Sequence, residues 1–408
     1  MKAAILYRTS RSAATRRVLK IVFFLAGVGF SLSGKAQGDI FPEAGRGIFY
    51  TNIVKLTGPW SIHVVKFPMR DSRMQIRAVH ATGHAVGLNL LSEQVRSVES
   101  TTFSALAGVN GDFYQREGGH AGDPRGLQIA DGELISAPSG SASFWIDALD
   151  EPHTDTTLSE LSVGWPDGTF SPIGLNGNRE PDSIVLYTPA MGASTQTERG
   201  RDLILEKKEA GPWLPLRPGR KYAVRVNSVR EGANGEIPPG MLVLSLGPIQ
   251  MKAVPHLEAG TDLFISTITT PSLRGVRTAV SGGPVLLRAG RAEKFNASDS
   301  DAFEIASQAQ RHPRSAIGWN GSSYFLVEVD GRQAGLSIGM TLAELAEFFL
   351  ELGCIEAMNL DGGGSATLWF DGKVRNKPCD GGERPIANSL VIGRKQPAGV
   401  RFQSANAR

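Results

Sequence analysis

A chain of 408 residues, 41% of them hydrophobic, can bury one large core or two medium ones without disulfide support. Its 48 glycines and 23 prolines exceed what a helical bundle tolerates, and its short β-branched apolar runs read as strands and turns. A formal net charge of +3, with no Lys/Arg run beyond the N-terminal segment, gives no electrostatic case for a nucleic-acid partner.

Residues 1–37 read as an export signal. Arg8, Arg11, Arg16, Arg17 and Lys20 precede the apolar stretch Ile21 to Leu32, and small residues follow around Gly34 and Ala36. A spanning helix needs roughly twenty apolar residues, so this stretch is too short for an anchor. The expectation is cleavage near Ala36 or Gln37 and an exported chain, periplasmic or extracellular, with no stable membrane span. Arg16-Arg17 leaves the choice between general secretion and twin-arginine export open. Cys354 and Cys379 are the only cysteines, and a bridged pair or a buried thiol at Cys354 suits an exported protein equally well.

Residues 38–102 alternate with period two, as in Trp60 to Val65 and Met74 to Val79, which predicts half-buried strands in an N-terminal β region. The segment from Phe103 is apolar and stops abruptly at Asn110-Gly111-Asp112, the kind of strand end where chemistry is often placed. Between about 150 and 270 the composition shifts to Pro, Gly and Thr with short strands at Ser183 to Tyr187, Tyr222 to Val226 and Met241 to Leu244, predicting an inserted β-rich subdomain. Further on, Ser315 to Trp319 and Ser323 to Val329 flank Asn320-Gly321, which predicts a tight hairpin turn with positive φ. Thr341 with Glu344 forms a capping box, and Leu342, Leu345, Ala346, Phe349 and Leu352 line one apolar stripe up to Gly353. This predicts the one clear helix, at about 341–352. Ile355 to Leu360 and Ala366 to Phe370 read as strands on either side of a glycine turn, and 396–408 as a C-terminal tail. The fold class is therefore α+β, with mixed or antiparallel sheets and few helices. No internal repeat points to a solenoid or propeller.

The turn Asn359-Leu-Asp361-Gly362-Gly363-Gly364-Ser365 concentrates side-chain donors, acceptors and successive glycine amides, a combination suited to cradling an anion or a sugar. It lacks the Gly-Lys-Ser/Thr of a nucleotide loop and the second glycine of a serine-hydrolase elbow. His80 and His84, four apart but in strand or loop, do not form a helical metal pair.

These motifs carry a resemblance. Gly335 to Leu350 followed by Ala357 to Thr367, together with Val109 to Phe113, Val280 to Pro284, Arg314 to Gly318, and Glu383-Arg384-Pro385 with Asn388, is similar to the phosphodiester glycosidase family. Asp112 stands where the family usually has a second glycine. The resemblance runs from about Asn110 to Ile392 and implies a domain at 103–395 that carries the 150–270 insertion. It also implies a hydrolase that cuts the bond between a sugar's anomeric carbon and phosphate, with a carbohydrate phosphodiester as substrate, from a wall polymer, an exopolysaccharide or a related glycan. The alternative is a non-catalytic carbohydrate-binding or exopolysaccharide-assembly protein.

Glycoside cleavage commonly uses two carboxylates. Asp361 is the first candidate, with Asp330 and Asp112 competing for the second place and Asp112 ranked lower for its departure from the family pattern. The expected substrate-binding residues are Asn110, Ser281, Gly282, Gly283, Arg314, Asn359, Gly362, Gly363, Gly364, Ser365 and Arg384, the two arginines serving the phosphate. No cofactor is expected. A hard cation such as Ca2+ or Mg2+ on Asp361, Asp330 and loop carbonyls is the lesser alternative.

The export reading is checked by N-terminal sequencing of the protein recovered from outside the cytoplasm. The mature chain should begin close to Gln37, and an intact Met1 in a cytoplasmic pool would overturn it.

Overall fold

The computed structural model describes residues 47–232, 234–295 and 309–396, so the signal segment and residues 397–408 lie outside the described residues. Two antiparallel sheets form the body that carries the glycine turn. The larger has seven strands in the order Phe49–Lys55, Trp60–Pro68, Ser323–Val329, Arg314–Trp319, Glu356–Asn359, Val285–Arg288, Arg291–Ala292. The smaller has five, in the order Lys373–Val374, Leu368–Phe370, Phe103–Asn110, Asn388–Lys395, Met74–His80.

Period-two alternation decides which residues face which layer. On the seven-stranded sheet Val65, Phe67, Ile317, Leu326 and Met358 point toward the five-stranded sheet and meet Ile76, Ala107, Val109, Leu390 and Ile392. The intervening residues Ile62, Val64, Ala316, Phe325 and Val327 point the other way, against Leu345, Phe348 and Phe349 of helix Leu342–Glu351. The helix begins as its sequence dictates. Thr341 accepts the Glu344 amide and the Glu344 carboxylate accepts the Thr341 amide, while Gly353 closes the C-terminal end at φ 74°.

A second five-stranded sheet contains Thr278–Ser281 and Ala142–Ile146, and an eight-stranded sheet is built wholly from strands between Ser162 and Ser266. Leu127, Ile129, Leu134 and Trp145 of the former pack against Val163, Leu186, Leu203, Val224 and Ile265 of the latter in a core separate from that of the main body. This mostly-strand architecture is the α+β class read from the sequence. No helix among the described residues is long and apolar enough to cross a membrane.

Two local expectations are corrected. Helix Leu91–Ser97 was not legible in the sequence because its N-cap, Leu90, offers no side chain; the Ser92 amide is instead accepted by Glu383 from far along the chain, at 2.9 Å. At the Trp319–Tyr324 hairpin neither Asn320 nor Gly321 takes a positive φ. Four residues form the connection, and the Asn320 carboxamide oxygen organises it by accepting the amides of Ser322 and Ser323. The two-residue turn with positive φ occurs at Asp371-Gly372, φ 48° and 85°. Cys354 and Cys379 are free, and Cys354 is buried in the helix-side core.

Helix and sheet approach closely where Gly318 leaves out a side chain. A Cβ there would lie 2.7 Å from the Phe349 ring and 3.0 Å from the Glu356 carbonyl. Gly318→Ala should therefore destabilise the protein by about 1–3 kcal/mol through overpacking. Thermal unfolding would show a midpoint lowered by several degrees, and an unchanged midpoint would mean that the contact relaxes freely.

Candidate active site

The site forms where strands of three sheets end together. Phe103–Asn110 runs into Gly111-Asp112, Thr278–Ser281 into Gly282-Gly283, and Glu356–Asn359 into the glycine turn. Main-chain bonds lock these ends: the Asp361 amide donates to the Gly111 carbonyl at 2.9 Å, the Gly283 amide to Asn359 at 2.7 Å, and the Asn359 amide to Pro284 at 3.0 Å. Asn110 adds a side-chain tie, its Nδ2 donating to the Asp361 carbonyl at 2.6 Å.

Asp361 is partly buried at the mouth of this convergence. Its Oδ1 accepts the Gly362 amide at 2.8 Å. Burial raises its pKa to about 6, against the opposing pull of the Ser365 hydroxyl, the Gly362 amide and the guanidiniums of Arg116 and Arg384. Asp112 lies deeper and accepts the Gly126 amide at 2.9 Å. Its pKa is pushed up to about 8, first by burial and further by the negative charge of Asp361, although amides of Gly126 and Phe113 and the charge of Arg125 oppose this. The two carboxyls thus sense each other and are held in different protonation states near neutrality, which is how a site separates an acid from a base.

Around them stand the expected Arg384 and several groups that the sequence did not single out. Tyr114 donates to the Pro385 carbonyl at 2.8 Å and feels Ser365, Asp361, Arg384 and Arg116. Arg384 is oriented by Asp380, which accepts from its Nε at 2.9 Å and from its Nη2, leaving Nη1 on the Ser365 side at 3.5 Å. Arg332, at φ 58°, lies beside Gly363 and directs Nη2 to Nδ1 of His312 at 3.1 Å. Burial and the charges of Arg314 and Arg332 lower the His312 pKa to about 4, so its ring is neutral and can accept. Arg116, Arg332 and Tyr114 gave no signal because an isolated arginine or tyrosine in a loop has no spacing to read.

The glycine turn works differently from the sequence expectation. The Gly362 and Gly363 amides are already engaged, by Asp361 Oδ1 and the Pro313 carbonyl, rather than presented to a ligand. A Cβ at Gly364 would meet the Arg384 guanidinium and the Asp380 carboxylate and would push this pair from its present position. The missing side chain is what lets Arg384 approach Ser365.

The remaining candidates divide. Ser281 is buried beneath the site, accepting the Leu127 amide and bonded to Ser143, each at 2.7 Å. Gly282 and Gly283 pack against the backbone of Asn359 and the side chain of Ala142, and Asn359 donates to the carbonyls of Gly283 and Leu360. These four residues shape the strand ends. Arg314 is buried and donates to main-chain carbonyls of Met340 and Gln310 at 2.9 and 3.0 Å, and burial lowers its pKa to about 10. Asp330 is turned toward His63, Nε2 to Oδ2 3.0 Å, and takes the Lys377 amide on its other oxygen at 2.8 Å.

Comparison with known proteins supports the resemblance read from the sequence. Residues 219–393 match the phosphodiester glycosidase family, a segment that holds Ser281, Arg314, Asp361 and Arg384 but begins after Asn110 and Asp112. An uncharacterized SPbeta prophage-derived protein of Bacillus subtilis, YomE, is 31% identical over 143 residues, 35% of this chain and 20% of that protein. The N-acetylglucosamine-1-phosphodiester alpha-N-acetylglucosaminidase of Bos taurus is 40% identical over 68 residues, 16% of this chain and 12% of that enzyme. The chain therefore spans only a small part of these relatives. Among solved structures, a hypothetical protein from Synechocystis superposes with a TM-score of 0.68 at 20% identity, over 86% of this chain and 62% of that one. A Burkholderia pseudomallei protein whose designation proposes that it is exported gives a TM-score of 0.65 at 23% identity, over 82% and 74%. These two share the fold.

The raised pKa values have a consequence for stability. Each carboxyl favours the fold fully below the ordinary carboxylate range near 4, and that contribution is lost as pH rises, to about 6 for Asp361 and about 8 for Asp112. The unfolding midpoint of Asp112→Asn should therefore gain on the wild type between pH 4 and 8. Parallel curves would show that Asp112 ionises normally.

Proposed function

We propose that this chain, whose residues 219–393 carry the phosphodiester glycosidase pattern, is an exported hydrolase. It cleaves the bond between the anomeric carbon and phosphate oxygen of a sugar-1-phosphodiester, in a wall polymer, exopolysaccharide or related glycan. The observation that carries the reading is the convergence of Asp361 and Asp112 at adjoining strand ends, tied by the Asp361 amide to the Gly111 carbonyl at 2.9 Å, with Arg384 held on the Ser365 side of the same turn.

Departure of the phosphate leaves an oxocarbenium-like centre, which the Asp361 carboxylate is placed to stabilise or attack. The carbon–oxygen bond breaks, its electron pair leaves with the phosphate monoester, and the oxygen of water ends on the sugar. A phosphate needs little protonation to depart, so stabilising its developing charge matters more than a strong acid. Arg384, with Arg116 and Arg332 at the rim, supplies positive charge there. Asp112 serves as proton donor or shuttle because it alone of the pair keeps its proton at neutral pH.

Hydrolysis in 18O-labelled water decides the bond broken. The label should appear in the sugar, and label in the phosphate would overturn the reading in favour of phosphorus–oxygen cleavage. The rate should rise through about pH 6 as Asp361 ionises and fall through about pH 8 as Asp112 loses its proton, and Asp112→Asn should remove the alkaline limb. Arg384→Ala should slow a phosphodiester glycoside by roughly thirty- to a thousandfold, from about 2–4 kcal/mol of lost charge stabilisation, but an aryl glycoside of the same sugar far less. Arg384→Lys should rescue only in part, since an ammonium keeps the charge without the planar fork. Equal losses on both substrates would assign Arg384 to sugar binding or folding.

A further inference from the structure

A second constellation lies between the two main sheets, separate from the Asp361 carboxyl. Register makes His63 the direct cross-strand partner of Glu328, and Asp330 follows at the end of the Glu328 strand. All three side chains are buried, and one ligand-type atom from each lies within 4.8 Å of the others. Both carboxylate oxygens of Glu328 are buried without a hydrogen-bond partner. A carboxylate left this way inside a protein is strongly disfavoured unless a proton or a cation compensates it.

The groups around the cluster fix its members from outside. Asp330 uses Oδ1 for the Lys377 amide at 2.8 Å, which leaves Oδ2 facing inward to His63 Nε2 at 3.0 Å. His63 uses Nδ1 for the Tyr50 hydroxyl at 2.8 Å, so Nε2 is the nitrogen presented to the carboxylates. Asn52 Nδ2 and Ser61 Oγ lie beside the same ring, at 3.0 and 3.3 Å from Nε2. An imidazole anchored through one nitrogen and a carboxylate anchored through one oxygen, with their free atoms converging, is how outer groups orient metal ligands.

We propose that His63, Glu328 and Asp330 form a binding site for one divalent first-row transition-metal ion, of the Mn2+ to Zn2+ range. One nitrogen and two carboxylates suit such an ion better than Ca2+, which takes six to eight oxygens. The ion neutralises the two acids and satisfies the Glu328 oxygens. It also pins the segment that begins at Lys377 and continues to Asp380 and Arg384, and so braces the phosphate side of the proposed active site from behind. The site stands on its own geometry and does not require the hydrolase reading.

The test uses the full chain, stripped with a chelator and then titrated with Mn2+ or Zn2+, with bound metal measured directly. One ion per chain should bind, and it should raise the unfolding midpoint. Glu328→Gln and His63→Gln should each weaken binding at least about tenfold, and Tyr50→Phe, which spares the ligands, should weaken it by about tenfold through the loosened ring. If a ligand variant fails to fold, Tyr50→Phe alone carries the test. Absence of binding by the folded, stripped wild type would overturn the proposal, and a Glu328→Gln that then raised stability would assign the cluster a shared proton. Metal uptake unaffected by Glu328→Gln, His63→Gln and Tyr50→Phe would also overturn it, placing the ion elsewhere on the chain. Because the readout is metal and not turnover, failure here leaves the glycosidase reading untouched, and the reverse holds too.

Discussion

Asn110 is the joint on which the rest of the site depends. It ends a strand of the five-stranded sheet, is fully buried, and makes one contact to each part that has to meet there. Nδ2 donates to the Asp361 carbonyl, while Oδ1 accepts the Ser315 hydroxyl from the seven-stranded sheet and the Thr367 amide from beyond the glycine turn. A carboxamide is the one short side chain that can donate and accept in the same plane, so Asp or Ser could satisfy only part of this set. Removing it would strand several buried polar groups at about 1–3 kcal/mol each. The next two residues, Gly111 and Asp112, inherit their position from it. Gly111 must lack a side chain because Asn388 occupies that space, and Asn388 in turn accepts the Asp112 amide at 2.8 Å.

The interior between the sheets changes character along the strands. Val65, Phe67, Ile317 and Leu326 make an apolar middle, whereas the row Asn52, His63, Glu328, Ser315 crosses the seven-stranded sheet in register and is polar throughout. Ser315 closes that row on Asn110. Polar groups are tolerated at such depth only when they are satisfied: Asn52 bonds to His63 at one end of the row, and Ser315 donates to Asn110 at the other. Glu328 is the member left unsatisfied. Burial and the neighbouring Asp330 hold its pKa well above the ordinary carboxylate value in the absence of any other charge.

What was legible in the sequence followed local rules. The helix at Leu342–Glu351 announced itself through Thr341, Glu344 and Gly353, and strands such as Ser323–Val329 through alternation, because each carries its cause within a few residues. The glycine turn and Asp361 stood out for the same reason. Contacts made over long separations were not legible: Glu383 capping the helix at Ser92, Asp380 orienting Arg384 into the gap at Gly364, and His63 pairing with Asp330. Arg314 is buried and bound to main-chain carbonyls, a placement that the sequence does not distinguish from that of an arginine facing a ligand. Asp112 was ranked below Asp330 for departing from a family pattern, yet the geometry sets Asp112 beside Asp361 and turns Asp330 to His63. Both follow strand ends, so what separates them is which neighbours each end meets, and that is set by register rather than composition.

The pairing of Arg384 with Asp380 bears on which leaving group the site can favour. If Asp380 neutralised the guanidinium fully, a phosphate would gain little from it. But the pair is partly exposed, with side-chain accessibilities of 22% and 43%, and an ion pair in that setting is screened and worth little. Its effect is mainly geometric: with Nε and Nη2 committed, the guanidinium plane is fixed and Nη1 is delivered to the Ser365 side of the glycine turn. A fixed donor is useful only where charge will appear, and preorganisation of this kind favours a developing anion over a neutral sugar hydroxyl. Arg116 and Arg384 both act on Asp361, so a departing phosphate beside that carboxylate would meet positive charge. A neutral leaving group would draw nothing from this arrangement.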